Sequence, residues 1–115
     1  MIYKVIITNR FEEKYLKSLK IYFWTEEFVK ILKSKKHNFI FLQDSFEKFK
    51  IKINWVHFRW VVFFILQDKI IPLFIYLKKD KLKWENINWN NMKNKIIKEH
   101  SLATNDIEKW LFKIF

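Results

Sequence analysis

Between Phe49 and Trp55 apolar and charged residues alternate. Phe49, Ile51, Ile53 and Trp55 fall on one side and Lys50 and Lys52 on the other. A period of two predicts a strand with one buried and one wet face. The run Trp60 to Leu66 is almost wholly apolar, which predicts a strand covered on both faces. A third run, Ile70 to Lys81, opens apolar and ends in cations. These three segments predict a meander that carries Lys50, Lys52, Arg59 and the lysines near Lys79 towards one patch. Cations clustered on a rigid sheet suit the holding of phosphates.

The flanks read less sharply. Tyr3 to Thr8 predicts a strand. Asn9 can cap a helix whose first turn carries Glu12 and Glu13, with Phe11, Tyr15, Leu16 and Leu19 at helical spacing. A second helix is expected from Thr25, with Glu26 and Glu27 in its first turn and Phe28 and Leu32 facing inward. No breaker stands between Lys20 and Trp24, so two helices and one bent helix both fit. Phe39 to Leu42 fits a short strand or a buried loop. Pro72 cannot donate to a ladder, which implies an edge position or a bulge. After Lys83 the Asn- and Trp-rich composition suggests a loop, and Asn91 to Glu99 fits a helix. A last helix is expected with Asn105 as cap, Glu108 completing the capping box, and Ile107, Trp110, Leu111, Ile114 and Phe115 as its stripe. The sum is a single α+β domain over 1–115, with an N-terminal strand, a helical hairpin on an antiparallel sheet, and a C-terminal helix.

Composition narrows the function. The chain of 115 residues carries 23 basic and 12 acidic residues, a net charge of +11. That balance points to an anionic partner. An AT-rich coding sequence also enriches Lys, Asn, Ile and Phe, so charge alone does not identify the partner. There is no cysteine, hence no disulfide, thiol nucleophile or zinc–thiolate site. There is no glycine, which excludes glycine-rich phosphate loops. Turn positions of positive φ are expected to fall to Asn, Asp or Lys. No apolar run reaches the roughly 18 residues of a membrane span, and no signal-peptide pattern opens the chain. A cytoplasmic protein with no membrane partner is expected. His37 and His100 are isolated, so neither a metal site nor a cofactor is expected.

The stretch FKIKINWVHFR, the apolar strand, the turn at Asp68 and IIPLFIYLKKDK resemble the RelE/ParE superfamily of toxin–antitoxin toxins. In RelE the matching segment has an aromatic, Lys-Ile-Lys-Leu, and an aromatic–Arg pair that opens the next strand. Here these are Phe49, Lys50, Ile51, Lys52, Ile53, Phe58 and Arg59. The resemblance covers roughly Tyr3 to Lys81. It implies a RelE-like fold, a translation-arresting toxin, and a metal-independent endoribonuclease acting on messenger RNA at the ribosome. It also implies a cognate antitoxin, which the +11 charge suggests is acidic. The alternative within the superfamily is a ParE-type toxin that cuts nothing and inhibits DNA gyrase by binding. One departure counts against cutting. RelE carries a tyrosine near its C-terminal end, where this chain has Trp84 and Glu85.

The catalytic set implied by the resemblance is Lys50, Lys52, Arg59 and, by counting, Lys79. Lys78, Lys81 and Tyr76 are the implied RNA contacts. Cutting needs a base for the 2′-OH, charge stabilisation at phosphorus and a proton for the 5′ oxygen. Lys50 or Lys52 would be the base, Arg59 the clamp, and Lys79 a second clamp or acid. A two-residue turn at Trp55-Val56 would pair Lys52 with Arg59 on one face. At the next turn, two residues at Gln67-Asp68 would set Tyr76 opposite Arg59 and bring Lys78 to that face. A three-residue turn through Lys69 would bring Lys79 there instead. Plainer readings stand beside these. Lys50 and Lys52 also fit a solvated strand face, His57 a turn residue, and the lysines at 78, 79 and 81 a solubilising strand end.

Overall fold

A computed structural model describes residues 2–52, 58–76 and 89–115. Strand β1 (Lys4–Thr8) leads directly into helix α1 (Asn9–Lys14) and a 3-10 turn at Leu16–Leu19. Helix α2 (Thr25–Ser34) follows, then a 3-10 turn at Lys36–Asn38 and strands β2 (Ile40–Gln43), β3 (Phe46–Lys52), β4 (Phe58–Leu66) and β5 (Lys69–Tyr76). Helix α3 (Trp89–Glu108) and strand β6 (Phe112–Ile114) complete the described chain. The six strands form one sheet in the order β2-β3-β4-β5-β1-β6. The fold is α+β. Its sheet is mixed, because β1 runs parallel to β5 while the other neighbours are antiparallel. Among the described residues no helix is long and apolar enough to cross a membrane.

Local chemistry explains the helix starts. Thr8, extended at φ −75° and ψ 156°, accepts the Phe11 N–H on its hydroxyl at 3.2 Å. The cap is therefore Thr8, one residue before the expected Asn9. Leu16 and Leu19 are fully buried in the following 3-10 turn. The chain leaves the helical path before Trp24, whose N–H donates to the Glu27 carboxylate at 3.1 Å, so α1 and α2 are separate helices. Phe28, Val29 and Leu32 of α2 point into the core.

The meander forms as its pattern predicts. Val61, Val62 and Phe63 of β4 are all fully buried, so both faces of this strand are covered. On one face Phe39 stacks on Phe63 with centroids 4.5 Å apart and leans on Phe49 at 5.4 Å. On the other, Trp89 and His100 of α3 cover Phe46 and Phe64. Pro72 lies in a central strand, not at an edge. The register slips between Val62 and Phe63, whose partners are Phe74 and Pro72. Leu73 is the extra residue of this bulge, which accommodates a proline without an N–H to give.

The C-terminus departs from expectation. Asn105 and Ile107 lie inside α3, which ends at Glu108, and Trp110 turns the chain at φ 61°. The remaining residues form β6, which pairs Ile114, Lys113 and Phe112 with Ile6, Ile7 and Thr8. The stripe read as helical is thus split. Trp110 stays 82% exposed, while the residues after it satisfy the free ladder edge of β1. Positive φ falls on Asp44, Gln67 and Trp110, so only the first is of an expected type.

A partly buried ion pair joins α1 to α3. Arg10 donates from Nε and Nη2 to the two Glu99 oxygens at 2.7 and 2.9 Å, and the Tyr15 hydroxyl donates to Oε2 at 3.0 Å. The Arg10 N–H also donates to Asp106 at 2.8 Å. Burial would raise the Glu99 carboxyl, but the Arg10 and Tyr15 hydrogen bonds hold it below its ordinary value.

Candidate functional site

The register of β3 and β4 determines which side chains meet. Phe49 faces Val61, Lys50 faces Trp60, Ile51 faces Arg59 and Lys52 faces Phe58. Residues directly opposite share a face. Lys50 and Lys52 therefore share one face with Phe58 and Trp60, and both are exposed. Arg59 stands on the other face, opposite buried Ile51. Its Nη1 donates to the neighbouring Phe58 carbonyl at 3.0 Å. The expected pairing of Lys52 with Arg59 is displaced by one residue, and a shift of one carries a side chain to the opposite face.

The lysine face is ordered by aromatic rings. The Lys50 ammonium lies 4.8 Å from the Phe58 centroid and 5.7 Å from that of Trp60. Lys48, next in the same alternating row, lies 5.0 Å over Trp60. Burial lowers the Lys48 amine below the ordinary lysine value. Trp60 in turn stacks on Tyr76 at 6.4 Å and 14°. Across the face, Lys95 of α3 lies 4.8 Å over Phe74.

Tyr76 joins this face, but as its floor. The turn at Gln67-Asp68 has two residues, since Leu66 faces Lys69. The bulge at Leu73 then moves Tyr76 opposite Trp60 and away from Arg59. Tyr76 is buried, and desolvation pushes its hydroxyl well above the usual tyrosine value. It is a neutral donor at physiological pH. Lys78, Lys79, Lys81, His57, Trp84 and Glu85 lie outside the described residues. Lys50, Lys52 and Tyr76 thus share one face, and Arg59 stands on the other.

Lys48 is the member that sequence reasoning missed. Its signal was the same period of two, extended one step towards the N-terminus. His100 packs edge-on against Phe46 and Phe64, and burial lowers its pKa. Among the described residues no group of three His, Asp or Glu side chains could hold a metal ion. Amines beside flat rings can hold phosphate oxygens. No protein-family model, curated protein or solved structure matches this chain.

Proposed function

We propose that this chain is a RelE/ParE-like toxin that arrests translation by cutting messenger RNA, working from the lysine face of β3. The observation that carries the reading is the exposed pair Lys50 and Lys52 on β3, held in register by β4, in the alternation that the resemblance requires. In the proposed reaction the 2′-OH attacks the adjacent phosphorus and the bond to the 5′ oxygen breaks. A cyclic phosphate and a 5′-OH result. A lysine amine of the row takes the 2′ proton, and its charged neighbours stabilise the phosphorane. The leaving oxygen then takes a proton from an ammonium group. In this scheme Arg59 acts from outside the face, so its loss matters less than that of either lysine. The partner that restrains such a toxin is an acidic antitoxin, and its affinity should fall as salt is added.

One observation favours the second reading, a ParE-type toxin that binds without cutting. Arg59 is separated from Lys50 and Lys52 by the sheet itself, so these three members of the implied catalytic set do not share one face. Induced expression in bacteria tests both readings. Growth arrest with fragmented messenger RNA supports the nuclease. Arrest with intact messenger RNA supports the binding toxin. Normal growth with soluble folded protein removes both.

A further inference from the structure

The described sheet ends in β2 on one side and in β6 on the other. An outer strand offers a row of backbone N–H and C=O groups that can pair with another chain. Proteins ordinarily blunt such an edge with a charge, above all lysine, or with proline. β6 follows that rule, since Lys113 stands at its centre between Phe112 and Ile114. β2 does not. It reads Ile40, Phe41, Leu42 and Gln43, with no charged residue and no proline. Phe41 is 65% exposed and Ile40 is 48% exposed. Among the described residues no strand but β3 pairs with β2.

The pattern of β2 fits itself. Residues directly opposite in an antiparallel pair share a face. A strand that meets its own copy about a two-fold axis must therefore turn about one residue. With the axis at Phe41, that ring meets its symmetry mate and Ile40 meets Leu42. These contacts are all apolar, and apolar cross-strand pairs stabilise a sheet. An axis at the centre of β6 would set Lys113 against Lys113, and like charges directly opposite destabilise. The register slip between Phe41 and Gln43 keeps the new ladder short, so the side chains must supply most of the contact. An acidic partner would find no cation in β2. Glu47, which faces Phe41 from β3, is already paired with Lys36 at 3.4 Å.

We propose that the chain pairs with a second copy of itself through β2, antiparallel about Phe41, so that the two sheets run on as one. The axis of such a pair is normal to the sheet, and each face stays on its own side. Ile40 faces Lys48 in register, so the face that carries Lys48, Lys50 and Lys52 continues from one copy into the other. The inference goes beyond the toxin reading and does not depend on it. The test is sedimentation velocity of the full chain from roughly 10 to 500 μM, the range suited to a small interface. Each copy carries a net charge of +11. Raising salt from about 0.1 to 1 M screens that repulsion and should tighten the pair about threefold or more. Phe41→Lys and Phe41→Glu should each be monomeric where wild type dimerises, because each sets like charges across the axis. A one-to-one mixture of these two proteins should dimerise again, since opposite charges then meet. Ile114→Lys adds a charge to the other edge, at a position 57% exposed, and should dimerise as wild type does. Circular dichroism checks that each variant is folded. A wild type that stays monomeric throughout overturns the proposal. If Phe41→Glu then also weakens binding of polyglutamate, the edge belongs to an acidic partner segment. Association that weakens with salt overturns the proposal too, as does a Phe41→Lys protein that dimerises or a mixture that does not.

Discussion

Arg10→Ala should destabilise the fold through the carboxylate it leaves behind. In wild type Arg10 gives Glu99 two charged hydrogen bonds, at 2.7 and 2.9 Å, and Glu99 is only 3% exposed. Without Arg10 the carboxylate retains the Tyr15 hydroxyl at 3.0 Å. Removing one partner of a buried ion pair costs about 3–5 kcal/mol, a large part of a typical domain's 5–15 kcal/mol. The converse change, Glu99→Gln, should cost less, about 1–3 kcal/mol. It strands an Arg10 side chain that is already 26% exposed and can turn to water. The pH dependence carries the stronger signature. In wild type the Glu99 pKa is depressed on folding. Its stabilisation is therefore present above the unfolded value of about 4.3 and is lost as pH falls through the folded value. In Arg10→Ala burial raises the Glu99 carboxyl instead, so protonation at low pH relieves the defect. The gap between the two proteins should narrow from pH 7 to pH 4. Urea unfolding followed by circular dichroism at both values measures it. A loss below about 1 kcal/mol at pH 7, or an equal gap at both pH values, would refute the reasoning.

Two further predictions concern the core. Phe63→Ala removes a fully buried ring stacked on Phe39 at 4.5 Å, and should cost about 3–5 kcal/mol in urea unfolding; a change under about 1 kcal/mol would mean that the site collapses or is not packed as described. His100 has its pKa lowered by burial, so stability is full above the unfolded value of about 6.5 and declines as pH falls below it. His100→Leu should flatten the stability–pH curve in that range, and an unchanged slope would count against a buried neutral imidazole.

The centre of the sheet was legible because β3, β4 and β5 announced themselves locally. Phe49 and Ile51 against Lys50 and Lys52, and the unbroken run through Val61, Val62 and Phe63, each carry their burial in their own spacing. The start of α2 was legible for the same reason, from Thr25, Glu26 and Glu27. Register was not legible. The expected turn at Trp55-Val56 lies outside the described residues, but Arg59 faces Ile51 and not Lys52, and that slip of one residue decides which face Arg59 occupies. The bulge at Leu73 moved Tyr76 by the same kind of step. The C-terminal error had another source. Ile107, Trp110, Leu111 and Ile114 fit a helix by spacing, but the open ladder edge of β1 is a tertiary fact that no local pattern contains. The Arg10–Glu99 pair joins residues 89 apart in sequence and left no local mark.

The central proposal is that the lysine face of β3 cuts messenger RNA, with Arg59, on the opposite face, in a secondary role. Single-turnover cleavage of ribosome-bound messenger RNA by wild type, Lys50→Ala, Lys52→Ala and Arg59→Ala tests it directly. Loss of one preorganised charge at a transition state typically slows a reaction about 10²–10³-fold. One or both lysine variants should fall by that amount while Arg59→Ala falls distinctly less, with all four proteins folded by circular dichroism. Cleavage abolished by Arg59→Ala and untouched by both lysine variants would contradict the account.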